Sequence, residues 1–230
     1  MSAIKIAPSV LAADFATLGR AVAEAEAAGA DAVHVDVMDG RFVPEISFGR
    51  RMVEALRRHT SLPMDVHLMV ADPQRHIGPF VESGASAVTV HAEAFTGAVP
   101  LRAALETIRS LGAAAGVALK PATAPQTLEE LWDSFDRVLV MTVEPGYAGQ
   151  AFMPEMLPKI EALAVRIREM GRAIEIAVDG GVDEGTAPRC VRAGATYLVA
   201  GSAVYSARRT VAEGMAALRS VVGGLGPVIG

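Results

Sequence analysis

The feature that most limits the fold of this chain is a recurring boundary where a helical segment ends at a glycine and an apolar, strand-like run follows. Glycine suits the end of a helix because the residue after the last turn often takes a positive φ. The glycines are separated by close to two, one and three units of about 28 residues, and about eight such units fill 230 residues. The pattern predicts successive β–α units. The four boundaries are Ala28-Gly29, Ser83-Gly84, Leu111-Gly112 and Ala193-Gly194.

Eight short apolar runs fit that count, with Ala-, Glu-, Arg- and Leu-rich stretches of helical spacing between them, such as 15–28, 101–111 and 154–170. Strands that alternate with helices predict a parallel sheet. An open doubly wound sheet uses the same units, but eight strands without an interrupting linker favour a closed α/β fold, the (β/α)8 TIM barrel, as one domain over residues 1–230. The predicted strands are 4–10, 32–37, 64–69, 87–91, 115–119, 138–143, 174–178 and 197–200.

Composition and charge exclude several classes of protein. Apolar residues make up 51% of the chain, enough for a large core, and the net charge is −5 with no Lys/Arg-rich block, so we expect no nucleic-acid partner. The single cysteine, Cys190, excludes an internal disulfide framework and fits a reducing compartment. No signal-peptide pattern begins the chain and no run is long enough to span a bilayer, so we expect no membrane association and a cytoplasmic location.

Polar side chains cluster where the predicted strands end. His34 and Asp36 alternate with the valines at positions 33, 35 and 37, so they share the face of strand two opposite to the valines. A His–Asp hydrogen bond inside a core would explain this pair alone. His67 closes strand three, however, and Asp179 closes strand seven, and the carboxyl ends of barrel strands meet on one face. These four groups predict a site for one divalent ion, Zn, Fe(II), Mn or Co.

Glycine-rich loops follow strands six, seven and eight. Glycines let backbone N–H groups approach an anion, and loops seven and eight often form the phosphate site of such barrels. Because no Lys or Arg accompanies these loops, we expect a phosphate to be held largely by backbone N–H groups. The loop residues are Gly146 to Gly149, Gly180-Gly181 and Gly201-Ser202.

Five motifs together resemble the ribulose-phosphate 3-epimerase family along almost the whole chain. They are Ser9-Val10-Leu11 with Asp14, the run from His34 to Pro44, His67-Leu68-Met69, the loop from Met141 to Gln150, and Val178-Asp179-Gly180-Gly181. The resemblance implies a barrel of the ribulose-phosphate binding type, a phosphosugar substrate, a homo-oligomer (dimer or hexamer), and one divalent metal per chain. It places the metal on His34, Asp36, His67 and Asp179.

The resemblance also implies roles for residues around the metal. Ser9 and His67 would contact the substrate, and Met38, Met69 and Met141 would line the reacting carbons, although Met69 could equally be a core filler. We read His91 as the polar end of strand four, with a structural role. The phosphate contacts implied are Gly146, Tyr147, Ala148, Gly149, Gly180, Gly181, Gly201 and Ser202.

Two aspartates on different strands suit an epimerisation, which removes a proton from one face of a carbon and returns one to the other. By the resemblance, Asp36 accepts the proton and Asp179 donates one, through an enediolate whose oxygens chelate the metal. The predicted reaction converts D-ribulose 5-phosphate to D-xylulose 5-phosphate in carbohydrate metabolism, as part of the pentose phosphate pathway.

Some positions do not decide which sugar phosphate is the substrate. Residues 141–157 look more like the related allulose-6-phosphate 3-epimerases, whereas Gly180-Gly181 looks more like the pentose enzymes. A metal hydrolase or a binding protein on the same barrel are further alternatives. A phosphate-binding decarboxylase would need a lysine in an Asp-x-Lys-x-x-Asp run, which Asp36-Val37-Met38-Asp39 lacks. The departures from the commonest family pattern are Glu144, Ala148, Arg41 and Glu45.

Overall fold

The computed structural model describes residues 4–147 and 149–226. Eight parallel strands form one sheet in the order β1-β8-β7-β6-β5-β4-β3-β2. The edges of that sheet approach each other, since the Asp31 amide donates to the Ile6 carbonyl at 3.0 Å and Ser9 pairs with His34 in a parallel bridge. The strands are β1 (Lys5–Pro8), β2 (Val33–Met38), β3 (Met64–Met69), β4 (Ala87–His91), β5 (Ala114–Leu119), β6 (Arg137–Met141), β7 (Glu175–Asp179) and β8 (Tyr197–Ala200).

Helices follow seven of the eight strands in the described residues, and they surround the nearly closed barrel. The predicted (β/α)8 TIM-barrel fold is therefore confirmed. The α-helices are α1 (Leu18–Ala27), α2 (Arg50–Leu56), α3 (Gln74–Glu82), α4 (Ala98–Ser110), α5 (Leu157–Glu169), α6 (Ala187–Ala193) and α7 (Val211–Val222). Among the described residues, no helix combines the length and the apolar composition needed to cross a membrane. The single-domain boundary, 1–230, stays a prediction.

The connection after β5 differs from the ideal unit because it contains a short 3-10 helix, Pro125–Leu128, in place of an α-helix. Amides at 131 and 134 donate to the carbonyls three residues before them, at Leu128 and Leu131. Leu128, Leu131 and Ser134 are buried in this connection, and so are Trp132 and Phe135.

Alternation along the strands divides the apolar residues into two layers. Val33, Val35 and Val37 belong to the large core between strands and helices, whereas Ala118, Leu139, Ala177 and Tyr197, among others, form a separate cluster inside the barrel. His34 and Asp36 alternate with the valines, so they face the barrel interior. The predicted face of β2 is the one observed.

Candidate active site

A cavity opens at the carboxyl ends of the strands. Nearly all the residues singled out by sequence line it, although they come from six different strand ends. Ala148 lies outside the described residues. His34 and His67 are buried and do not line the cavity, so the substrate contact expected of His67 stays a prediction. The lining residues predicted from sequence are Ser9, Asp36, Met38, Met69, Met141, Gly146, Tyr147, Gly149, Asp179, Gly180, Gly181, Gly201 and Ser202.

His34, Asp36, His67 and Asp179 converge, with one potential ligand atom from each lying within 4.8 Å of the others. Asp36 Oδ1 is 3.2 Å from His34 Nε2 and 3.0 Å from His67 Nδ1. Asp179 Oδ2 is 4.0 Å from His34 Nε2 and 3.6 Å from His67 Nδ1. Such separations suit donor atoms around one first-row ion, whose bonds to nitrogen and carboxylate oxygen are about 2.0–2.2 Å long. The donor set therefore fits a divalent metal.

The charges of the cluster support that fit. Burial by itself raises the pKa of Asp36, but His34 and His67 lower it far below the usual range, so the carboxylate is ionised. Burial lowers the pKa of His34, yet Asp36 and Asp65 raise it well above its ordinary value. Burial also lowers the pKa of His67, but hydrogen bonds to Asp179 and Asp36 raise it above its ordinary value. The cluster therefore attracts positive charge, which a divalent cation can supply in place of protons.

The two carboxylate oxygens of Asp36 have different partners, and Ser9 binds one of them. The Ser9 hydroxyl donates to Asp36 Oδ2 at 2.5 Å, while Oδ1 faces the two histidines. Ser9 comes directly after β1, at the bridge to His34 that joins β1 to β2. The sheet closure therefore places a hydroxyl against the carboxylate from the cavity side.

Thr142 joins the loops after β6 and β7. Its side-chain hydroxyl donates to the Gly180 carbonyl at 2.6 Å, and its amide donates to the Asp179 carbonyl at 2.8 Å. Gly180 has φ +119°, and an added Cβ would lie 2.6 Å from a Val143 methyl carbon, so only glycine fits this contact. Gly180 and Asp179 are thus held by the neighbouring strand end.

Sequence reasoning missed the polar groups behind the two histidines. Asp65 Oδ2 is 3.0 Å from His34 Nδ1, and the Tyr197 hydroxyl donates to the same oxygen at 2.9 Å. His91 Nε2 is 2.9 Å from His67 Nε2, so His91 contacts the cluster in addition to closing β4. A signal was present for Asp65, because it stands two residues before His67 and therefore faces the same side of β3.

The groups behind the cluster have shifted pKa values. Burial raises the pKa of Asp65, but the nearby Arg137 guanidinium lowers it to well below its usual range. Burial lowers the pKa of His91 to about 4, so its ring is neutral. Burial raises the pKa of Glu93, but hydrogen bonds, chiefly from His91, lower it to about 2.

Comparisons with known proteins agree with this description. The family model described as the ribulose-phosphate 3 epimerase family matches residues 5–205. The ribulose-phosphate 3-epimerase of Bacillus subtilis (strain 168) is 49% identical over 203 residues, 88% of this chain and 92% of that protein. The chloroplastic ribulose-5-phosphate-3-epimerase of Arabidopsis thaliana is 46% identical over 90% of this chain and 73% of that protein.

Solved structures that are less similar in sequence share the fold. KGPDC from Streptococcus mutans superposes with a TM-score of 0.70 at 16% identity over 97% of this chain and 99% of that one. Orotidine 5'-phosphate decarboxylase from Pyrococcus horikoshii OT3 gives a TM-score of 0.69 at 18% identity, over 96% and 100%. These likenesses concern the barrel alone.

The fold and the site define a TIM-barrel enzyme whose cavity at the strand ends holds a buried His/Asp cluster capable of binding a metal. The family match and the identities of 46% and 49% then settle the family. The chain belongs to the ribulose-phosphate 3-epimerase family, and it is an isomerase that acts on carbohydrates.

Proposed function

We propose that this enzyme interconverts D-ribulose 5-phosphate and D-xylulose 5-phosphate by metal-dependent proton transfer between two aspartates. The observation that carries the proposal is that Asp36 and Asp179, from strands separated by β1 and β8, line one cavity beside the buried histidines. His34, Asp36, His67 and Asp179 would hold one divalent ion. When bound, that ion acts as a Lewis acid that stabilises negative charge on the substrate oxygens.

The aspartates exchange a proton with carbon 3 of the ketose, which is acidic because it adjoins the carbonyl at carbon 2. Asp36, ionised and hydrogen-bonded by Ser9, removes the proton and leaves an enediolate. Asp179, as a carboxylic acid, returns a proton to the opposite face. In the reverse reaction the two residues exchange roles.

The remaining cavity residues bind and enclose the substrate. Met38, Met69 and Met141 are buried and line the cavity, so they keep water away from the reacting carbons. Backbone N–H groups of the glycine loops after β6, β7 and β8 would hold the phosphate. A cytoplasmic location and a homo-oligomer (dimer or hexamer) belong to the same proposal, and light scattering after size-exclusion chromatography measures the assembly.

Measuring the metal content of the purified enzyme tests the proposed metal requirement. Purified enzyme should contain close to one divalent ion per chain, chelation should abolish activity, and Zn²⁺, Fe²⁺, Mn²⁺ or Co²⁺ should restore it. Full activity in protein verified to be free of metal would refute the metal requirement.

Solvent exchange tests the two aspartates. Wild-type enzyme in D₂O should place deuterium at carbon 3, as followed by NMR, whereas Asp36→Asn and Asp179→Asn should each lower turnover by at least about 10²–10⁴-fold. Metal content is measured in each variant because both residues belong to the cluster. Asp14→Asn is the matched control, since Asp14 is exposed and caps a short helix. Near-wild-type turnover in a metal-loaded Asp36 or Asp179 variant would refute the mechanism.

D-allulose 6-phosphate is the second candidate substrate, because residues 141–157 resemble the enzymes for that six-carbon sugar. The two candidates differ by one hydroxymethine group, and one extra carbon in a pocket often changes kcat/KM by only about 10–200-fold. Measuring kcat/KM for both sugars decides between them. Ribulose without its phosphate should react with a kcat/KM several orders of magnitude lower, because remote binding energy positions the reacting carbon. A clear preference for the hexose phosphate would overturn the pentose assignment and leave the epimerase mechanism in place.

A further inference from the structure

Each histidine of the cluster is held from behind by a chain of hydrogen bonds that ends on a carboxylate. The two histidines also present different ring nitrogens to the cluster, Nε2 for His34 and Nδ1 for His67. A neutral imidazole carries its single proton on one nitrogen and its lone pair on the other. Whatever fixes the proton on the rear nitrogen therefore fixes the lone pair on the nitrogen that faces the cluster.

The chain behind His34 is short. His34 Nδ1 is 3.0 Å from Asp65 Oδ2, and the buried Asp65 carboxylate also accepts from the Tyr197 hydroxyl and lies 2.9 Å from Arg137 Nη1. The Arg137 guanidinium stacks on the Tyr197 ring, 3.8 Å from its centroid. An ionised carboxylate only accepts hydrogen bonds, so Nδ1 of His34 must carry the proton. The lone pair of Nε2 is then available to bind a metal ion.

The chain behind His67 has one more member. The carboxylate of Glu93 accepts from the Lys120 amide at 2.7 Å and lies 3.1 Å from His91 Nδ1, which must therefore carry the proton of that ring. His91 Nε2 then has the lone pair, and it accepts from His67 Nε2 at 2.9 Å. The direction of each bond follows from the anion at the end of the chain. Nδ1 of His67 is consequently left free to face the cluster.

We propose that Asp65 and Glu93 are positioning residues that set the proton-bearing nitrogens of His34 and His67 respectively, and thereby the metal affinity of the cluster. The inference rests on the metal centre proposed above. Groups that hydrogen-bond to metal-binding histidines typically change metal affinity by about 10–100-fold when they are mutated. Because the two hydrogen-bond chains share no residue, Asp65 acts on His34 and Glu93 acts on His67.

The test uses Zn²⁺, which is diamagnetic, and two-bond nitrogen–proton NMR correlations that report which ring nitrogen is protonated. Zinc-loaded wild-type protein should show the proton on Nδ1 of His34 and on Nε2 of His67. Asp65→Asn should lower zinc affinity by about 10–100-fold and shift only the His34 ring signals, because bound zinc itself keeps the proton off the coordinating nitrogen. Glu93→Gln should lower zinc affinity by a similar factor, shift the ring signals of His67 and His91, and leave those of His34 unchanged. An amide can donate as well as accept, so neither variant dictates the proton position.

Each variant is the control for the other, and Val66→Ala controls for stability. Val66 lies between Asp65 and His67 on β3 but belongs to the core under the helices, so its truncation destabilises the barrel without touching either chain. Zinc affinity should be unchanged in this variant. If Asp65→Asn does not fold, the double variant Asp65→Asn with Arg137→Met removes both members of this ion pair and leaves Glu175 its contact with Lys5; it should show the same loss of affinity.

The outcomes separate this inference from the proposed metal centre. If wild-type protein binds no stoichiometric zinc, the metal centre is wrong. If wild-type protein binds zinc while folded Asp65→Asn and Glu93→Gln bind it equally well with unchanged ring patterns, the metal centre stands and the positioning role is overturned. An equal loss of affinity in Val66→Ala would also overturn it, because stability alone would then explain the effect.

Discussion

Thr142 holds the loop after β7, and replacing it by valine tests whether that loop must be anchored for activity. Valine keeps the shape of threonine and removes only the hydroxyl, which donates to the Gly180 carbonyl at 2.6 Å. The hydroxyl also donates to the Asp179 carbonyl at 3.0 Å, but that carbonyl keeps its bond from the Thr142 amide, so the loss falls mainly on Gly180. Thr142 is fully buried, so a carbonyl without its donor costs about 1–3 kcal/mol of unfolding free energy.

For a chain of this length, 1 kcal/mol corresponds to a Tm change of roughly 2–4 °C, so Thr142→Val should lower Tm by several degrees in calorimetry. Displacement of Asp179 and Gly180 should lower kcat/KM by about 10-fold or more, since small misplacements of reacting groups are costly. Thr142→Ser keeps the hydroxyl and is the matched control, with kcat/KM close to that of wild type. If the valine variant equals the serine variant in both Tm and kcat/KM, the anchoring role of the hydroxyl is wrong.

Gly181→Ala should lower the unfolding free energy by about 1–3 kcal/mol and should also lower kcat/KM. The reason is that Gly181 has φ +64° and that an added Cβ would lie 2.6 Å from the Phe152 amide nitrogen. Gly112→Ala is its control, since Gly112 has φ +85° with nothing near the added Cβ, and normal stability in Gly181→Ala would contradict the steric argument. Burial raises the pKa of Glu93, but hydrogen bonds, chiefly from His91, lower it from 4.5 to about 2. The ionised carboxylate therefore stabilises the fold at neutral pH. This contribution, about 3 kcal/mol, is lost as the pH falls from about 4.5 to about 2. Glu93→Gln should flatten the unfolding free energy over that pH range in urea titrations, and an unchanged slope would refute it.

The fold and much of the candidate site could be predicted from local patterns. Helix-ending glycines and eight apolar runs indicate the barrel because each β–α unit follows from its own stretch of sequence. His34 and Asp36 could be placed on the interior face because side chains alternate along a strand. Their convergence with His67 and Asp179 followed because parallel strands in a barrel end on the same face.

Contacts across the barrel could not be read in the same way. The connection after β5 contains a 3-10 helix, although the buried residues Leu128, Leu131, Trp132 and Phe135 have the spacing of an α-helix. His91 lies on β4, next to β3, yet its hydrogen bond to His67 depends on how far the strands are staggered and on both ring orientations. Neither quantity has a signature in a single sequence.

The sequence by itself therefore determined the barrel, the strand ends that carry polar groups and the family to which the chain belongs. The tertiary structure alone decided which groups stand behind those strand ends. Tyr197 reaches Asp65 across 132 positions of the chain, and the same carboxylate meets Arg137 from a third strand. The interior of a closed barrel brings together side chains from strands that are distant in sequence, and the stagger between strands sets which of them meet.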